Sequence, residues 1–287
     1  SANRIEWVAG IINGTTNFIL SEMREKGLDF AVVLKEAQRL GYAEADPTFD
    51  VEGVDAAHKL TLMSSIAFGV PVQFSKAFIQ GISELTATDI TYAEGLGYRI
   101  KLLGITKRTS KGIELRVHPC LVPSKRLIAN VEGAMNAVMV CGDAVGTTLH
   151  YGKGAGSEPT GSAVIADLID IARLSDATPA QRVPFLAFQS QHLSDFPVLS
   201  MDEVVTSYYL RIRVADQPGV LANIASIFAK HNISIDALRQ READEVCGEG
   251  AAGRPANQQD GNCGTQARIR GRTETQTSQR HSHLRVQ

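Results

Sequence analysis

Between Gly41 and Lys59 the sequence GYAEADPTFDVEGVDAAHK crowds Glu44, Asp46, Asp50, Glu52 and Asp55 into a turn-rich segment, then enters an apolar helix. Gly41, Pro47 and Gly53 punctuate the acidic part, which predicts an ordered loop in place of a helix interior. From Val54 the pattern VDAAHKLTLMSSIAF is helical. It puts Asp55, Lys59, Leu62 and Ile66 on one stripe, with Ala56, Leu60, Met63 and Ala67 beside it. A helix so poor in polar residues is expected to be substantially buried, with Lys59 one turn in from Asp55.

Two chemistries fit this stretch. Loop carboxylates attract an ammonium group, and a lysine in the first turns of a buried helix can hold a hydroxyl, carbonyl or carboxylate, which together suit a small zwitterion. Asp55 and Lys59 also have the i,i+4 spacing of an ordinary helix ion pair, and loop carboxylates are usually solvated. The first reading draws support from the rarity of a buried lysine without a partner or a task.

With 287 residues the chain is long enough for one large domain and a smaller one. A net charge of −2 gives no whole-protein attraction to nucleic acid or an anionic membrane. No apolar run reaches membrane-spanning length, and no positive leader precedes an apolar stretch, so a cytoplasmic protein is expected. The opening SANRIEWVAG reads as sequence from the middle of a domain. Cys120, Cys141, Cys247 and Cys263 have neither metal-ligand spacing nor the density of a disulfide scaffold, and no metal site is expected.

Taken in order, Ile5–Ile12 is a short apolar run, and Asn13-Gly14-Thr15-Thr16-Asn17 turns the chain and caps a helix ending at Gly27. Asp29 opens a second helix that stops at Gly41. Strand character follows in Ala77–Ile82, Arg99–Thr106, Ile113–Val117, Asn136–Val140 and Thr147–Tyr151, with a short helix over Thr88–Leu96. A clean helix then runs from Pro159 to Leu174. Helices, antiparallel-looking strands and a closing helix predict an α+β domain, its helices packed on one face of a mixed, largely antiparallel sheet.

The joint before that last helix, Gly152-Lys153-Gly154-Ala155-Gly156-Ser157-Glu158-Pro159-Thr160-Gly161, allows close backbone approach and offers a helix N-terminus to an anion. It matches no phosphate-binding fingerprint, and a tight ligand-free turn fits the spacing equally. Residues 175–206 read as a linker. From 207 to 247 a strand, the turn Asp216-Gln217-Pro218-Gly219, a helix and a second strand make a β-α-β unit. The remainder, 248–287, has few apolar residues and is expected to be disordered and non-native in origin. Its scattered arginines and its His281 and His283 are weak hints of RNA or metal binding.

The blocks Ile12-Asn13-Gly14-Thr15-Thr16-Asn17-Phe18-Ile19-Leu20, Leu40-Gly41-Tyr42-Ala43-Glu44-Ala45-Asp46-Pro47, then Asp50, Gly53, Asp55, Ala57 and Lys59, and Gly154-Ala155-Gly156 with Pro159, Thr160 and Asp167 carry a resemblance. The span 1–174 resembles the catalytic and dimerisation domain of homoserine dehydrogenases, and Val214–Leu221 resembles the opening of an ACT regulatory domain, a ferredoxin-like fold. The resemblance implies interconversion of L-homoserine and L-aspartate 4-semialdehyde with NAD or NADP, on the route to threonine, methionine and isoleucine. It assigns Lys59 as the catalytic lysine, Glu44, Asp50 and Asp55 to substrate binding, and Gly41 and Gly156 to the nicotinamide end of the cofactor. It also implies a homodimer formed through Ala77–Tyr151, whose sheet exceeds what the visible helices can cover. The family's N-terminal Rossmann domain and monovalent-cation loop are expected to lie outside this sequence, leaving the isolated chain inactive. A stand-alone amino-acid-binding regulatory module, or a structural oligomerisation domain, is the alternative that the residues alone leave open.

Overall fold

The central strand of the larger sheet is β1 (Ile5–Ile11), whose sequence IEWVAGI is flanked by neighbours on both edges. The computed structural model describes residues 2–178, 182, 184, 187–215, 217–241 and 262–271, which group into two units, Ser1–Met201 and Asp202–Gln287. In the first unit β1 is followed by α1 (Gly14–Lys26), α2 (Phe30–Arg39), α3 (Thr48–Val51) and α4 (Val54–Phe68). The two-residue strand β2 (Phe78–Ile79) and α5 (Ala87–Gly95) lead to the hairpins β3 (Tyr98–Arg108)–β4 (Ile113–Pro123) and β5 (Met135–Gly142)–β6 (Gly146–Lys153), closed by α6 (Ser157–Arg173). Strand order is β2-β4-β3-β1-β5-β6, antiparallel throughout except for the β2–β4 pair. This is the mixed, largely antiparallel sheet with packed helices that the sequence predicts.

Alternation along the strands makes two cores. Ile100, Leu102, Leu115 and Val117 join Ile19, Leu20, Met23, Leu60 and Ile90 of the helices in the main core. Ile11, Leu103, Val122 and Ala137 instead gather with Ile128, Ala129 and Val131 in a smaller cluster. Helix α4 approaches the sheet closely because it presents Ala56, Ala57, Thr61 and Ser64 as well as Leu60. Gly104 completes the fit: a Cβ there would lie 3.0 Å from Ile12 and 3.3 Å from Leu60. Buried Thr106 donates its hydroxyl to Ser64 at 2.9 Å, so the contact satisfies its own polar atoms.

The stretch expected as a linker is partly docked. Ser194 donates its amide to the Gly69 carbonyl, and residues 197 and 199 exchange backbone hydrogen bonds with Ile113. Phe196 packs with Phe68, Val70 and Ile113, and the Arg108 guanidinium lies 5.2 Å from its ring centroid.

In the second unit β7 (Thr206–Ala215), α7 (Val220–Lys230) and β8 (Ser234–Arg241) form the predicted β-α-β piece, with Leu210, Ile212, Phe228, Ile233 and Ile235 in one cluster. Within the span expected to be disordered, residues 262–271 form β9 (Asn262–Gly271), hydrogen-bonded between β7 and β8. The run Gln266-Ala267-Arg268-Ile269-Arg270 has the period of a strand, which an argument from composition overlooks. Residues 248–261 and 272–287, with His281 and His283, lie outside the described residues.

Truncating Leu60 and Leu62 separates the two sides of α4. Leu60 is fully buried and Leu62 is 49% exposed. Leu60→Ala is expected to cost about 2–5 kcal/mol of stability, and Leu62→Ala less than about 0.5 kcal/mol. Urea unfolding of the two variants checks this, and equal losses would contradict the packing.

Candidate active site

The site is assembled where β1 hands over to α1. Asn13 is the N-cap of α1, extended at φ −134° and ψ 118°, and its Oδ1 accepts from the Thr16 amide at 2.9 Å and the Thr16 hydroxyl at 3.1 Å. The Nδ2 of the same buried side chain donates to Asp50 Oδ1 at 2.7 Å and to Asp55 Oδ2 at 2.9 Å. Asp50 comes from the short helix α3, and Asp55 from the first turn of α4.

Lys59 Nζ donates to Asp55 Oδ2 at 2.6 Å and to the Ile12 carbonyl at 3.1 Å. The i,i+4 ion pair therefore exists, but it is one part of a cluster drawn from the β1–α1 junction, α3 and α4. The expected burial of Lys59 is corrected: its side chain is 47% exposed. The stripe it shares with Leu62 and Ile66 faces away from the core, because α4 packs through Ala56, Ala57, Leu60, Thr61 and Ser64. Two of the three ammonium protons are engaged, which leaves the third for a ligand.

The acidic loop is pinned from both ends. Thr15 Oγ1 donates to the Tyr42 carbonyl at 2.7 Å, and the Phe18 and Tyr42 rings stack at 4.5 Å. Gln38 Nε2 donates to the carbonyls of Glu44 and Ala45 at 3.0 and 3.2 Å. Asp46 accepts from Thr48, which holds its carboxyl below the usual range and makes it a turn residue. His58 sits between the rings of Phe49 and Phe74, 5.7 and 4.0 Å away, and so ties α3 to α4. The Glu44 side chain is exposed, and no hydrogen bond joins it to Asp50, Asp55 or Lys59 among the described residues.

Gly41 follows α2 at φ +78°, with open space where a Cβ would stand. Gly156 caps α6 at φ +126°, with only the Pro159 ring near such an atom. The glycine-rich joint reaches the start of α1 through Asn136. A Cβ on Gly14 would lie 3.5 Å from Asn136 Oδ1, and one on Gly154 would collide with Asn136 Nδ2.

A second polar group went unpredicted. Lys101 on β3 is 1% exposed, and it donates to the Val131 carbonyl at 2.6 Å and to Asn17 Oδ1 at 3.1 Å. Its Nζ also lies 3.4 Å from Glu132 Oε2, while Arg24 and Arg99 bind Glu132 Oε1 at 2.6 and 2.7 Å. Burial pushes the Lys101 ammonium down to about 8 against the pull of Glu132, with Arg24 and Arg99 adding repulsion. Burial raises the Glu132 carboxyl, but the Arg24 hydrogen bond, the Lys101 charge and the Ser21 hydroxyl together hold it below its ordinary value. Asn17 Nδ2 reaches the carbonyls of Val131, Gly133 and Met135 at 2.9–3.0 Å, clamping α1 onto that loop. On β4, burial and the Arg116 charge bring His118 down to about 4, and burial pushes the Cys120 thiol up to about 12, so neither is poised for chemistry at neutral pH.

The family profile described as homoserine dehydrogenase matches residues 1–169, and that of the ACT domain matches residues 208–253. A curated homoserine dehydrogenase from Pseudomonas aeruginosa is 63% identical over 248 residues, 86% of this chain and 57% of the relative. One from Neisseria gonorrhoeae is 63% identical over 241 residues, 84% of this chain and 55% of the relative. The crystal structure of a homoserine dehydrogenase from Thiobacillus denitrificans matches with a TM-score of 0.83 at 61% identity, covering 93% of this chain and 57% of that one. The chain thus spans a little more than half the length of the relatives it matches.

Lys101 gives the fold a signature in pH. Unfolded, it holds its proton to about 10.5, and folded only to about 8. Between those values the unfolded state binds more protons, so this group's contribution to stability rises with pH. Relative to Lys101→Met, the parent should gain on the order of 1–3 kcal/mol between about pH 8 and about pH 10.5. Urea unfolding of both proteins across that window checks the sign, and a constant difference would contradict it.

Proposed function

Because the chain belongs to the homoserine dehydrogenase family, we propose that it carries the substrate-binding half of an NAD(P)-dependent oxidoreductase interconverting L-homoserine and L-aspartate 4-semialdehyde. That reaction serves threonine, methionine and isoleucine biosynthesis. The observation carrying the proposal is Lys59, whose ammonium is anchored on Asp55 and the Ile12 carbonyl with one proton uncommitted beside two carboxylates. In this reading Asp50, Asp55 and the exposed Glu44 hold the polar head of the substrate, with Glu44 swinging in to the amino group.

Homoserine oxidation removes a hydride from C4 and a proton from its hydroxyl, giving the aldehyde. In the reductive direction Lys59 Nζ donates its uncommitted proton to the aldehyde oxygen as hydride reaches the carbon, and regains a proton from solvent. Homoserine oxidation runs the same steps in reverse, the amine taking the hydroxyl proton after releasing one to solvent. Asp55 keeps the ammonium aimed at the oxygen. The nicotinamide, when bound, accepts or returns the hydride. Gly41 and Gly156, at positive φ with no side chain in the way, suit the approach of a flat ring. The fit is argued for the reactive end of the cofactor alone, from these two glycines.

We further propose a homodimer formed through the sheet. β6 is an edge strand; Tyr151 along it is 59% exposed, and Val145 in the turn before it is 62% exposed. Sedimentation at micromolar protein should give a dimer, and a stable monomer would refute it.

The function is tested by placing this chain in the matching segment of an intact relative and assaying homoserine oxidation. Lys59→Ala should lower kcat by about 10²–10⁴ with an unchanged melt. Glu44→Ala should mainly raise KM, since an ammonium contact forms in ground and transition states alike. Near-parental kcat in folded Lys59→Ala would reduce Asp55 and Lys59 to an ordinary helix pair.

A further inference from the structure

We propose that Asn13 is the positioning residue of this site, fixing Asp50 and Asp55, and through Asp55 the catalytic ammonium of Lys59. The inference rests on the functional reading of those three residues and adds to it the group that sets their geometry. The orientation of the Asn13 amide is forced. Thr16 presents a backbone N–H, which can only donate, at 2.9 Å from one end of the amide. The other end faces two carboxylate oxygens, at 2.7 and 2.9 Å. Flipping the amide would set donor against donor at Thr16 and oxygen against two anions, so Oδ1 must face the helix and Nδ2 the carboxylates.

The consequence is a template of open valences. Both protons of one NH2 group are spent on Asp50 Oδ1 and Asp55 Oδ2, which draws two like charges to a common neighbour. Asp55 Oδ2 also takes Lys59, whose second bond goes to the carbonyl of Ile12, the residue before Asn13. The junction of β1 and α1 thus holds the ammonium and both carboxylates within one residue of chain. Among the described residues, the second oxygen of each carboxylate and one Lys59 proton remain without a partner, two acceptors and a donor for a polar substrate. Buried in the junction, Asn13 touches no substrate itself.

Capping and positioning can be separated. Serine also caps a helix well by accepting from Thr16, but it has no NH2 to offer the carboxylates, and aspartate caps while adding a third negative charge. For this chain, Asn13→Ser should weaken L-homoserine binding in calorimetry by about tenfold to a hundredfold, the scale of a lost hydrogen bond to a charged group. Its melting temperature should fall by several degrees, because two internal bonds to carboxylates are lost while the cap is kept, and Asn13→Asp should bind still more weakly. A crystal structure of Asn13→Ser should show Asp50 and Asp55 in new rotamers and Lys59 detached from the Ile12 carbonyl. Near-parental binding by both capping variants, or carboxylates unmoved in that structure, would overturn the proposal. Should the parent itself bind no L-homoserine, the functional reading falls, and the Asn13→Ser structure alone decides: moved carboxylates uphold the positioning role, unmoved ones overturn it.

Discussion

Asn13 spends every hydrogen-bonding valence of its side chain at the point where the central strand becomes the first helix. Its oxygen closes the N-terminus of α1, a position where such caps are commonly worth about 1 kcal/mol. Its nitrogen gathers carboxylates from two later helices. The fold is thereby tied to the site, because α1 cannot start elsewhere without releasing Asp50 and Asp55. A few residues on, Asn17 and Lys101 clamp the same helix to the loop that enters β5, so α1 is held on two sides by buried polar contacts.

Much of this architecture was legible in the sequence. The alternation in IELRV and the glycines bounding Val54–Phe68 give strand and helix through periods and breakers, which need only neighbours in the chain. The acidic loop was likewise visible, because its carboxylates lie close together in sequence. What stayed hidden depends on partners brought from afar. Lys101 reads as an ordinary polar residue in a strand until Asn17 and Val131 supply acceptors for its ammonium. Asn13 reads as a helix cap, and nothing local says that its nitrogen has partners 37 and 42 residues away. The strand β9 was missed for the opposite reason: its composition argued for disorder while its alternation argued for pairing.

The buried network around Glu132 shows what sustains a charged interior. Taking Lys101 out of water is costly, and one carboxylate at 3.4 Å does not by itself offset that cost. The carbonyl of Val131 and the oxygen of Asn17 complete the coordination, while Arg24 and Arg99 bind the Glu132 carboxylate at the rim. Removing one partner would strand the others, so the network behaves as a unit and fixes the register of α1 against β3.

Two lysines in this protein invert the rule that prompted interest in the first of them. A buried lysine suggests a task, yet the one that is buried, Lys101, is saturated by fixed acceptors and has no access to a ligand. Lys59 is half exposed on the outward stripe of α4, held from one side and open on the other. Chemistry at a lysine requires both conditions at once: enough fixed contacts to aim the ammonium, and one valence left for the reacting atom. On the proposed reading, incomplete satisfaction at the rim of a rigid cluster suits Lys59 to chemistry, where complete satisfaction in the interior suits Lys101 to structure. That distinction lies in the geometry of the acceptors, and residue type and spacing in sequence do not carry it.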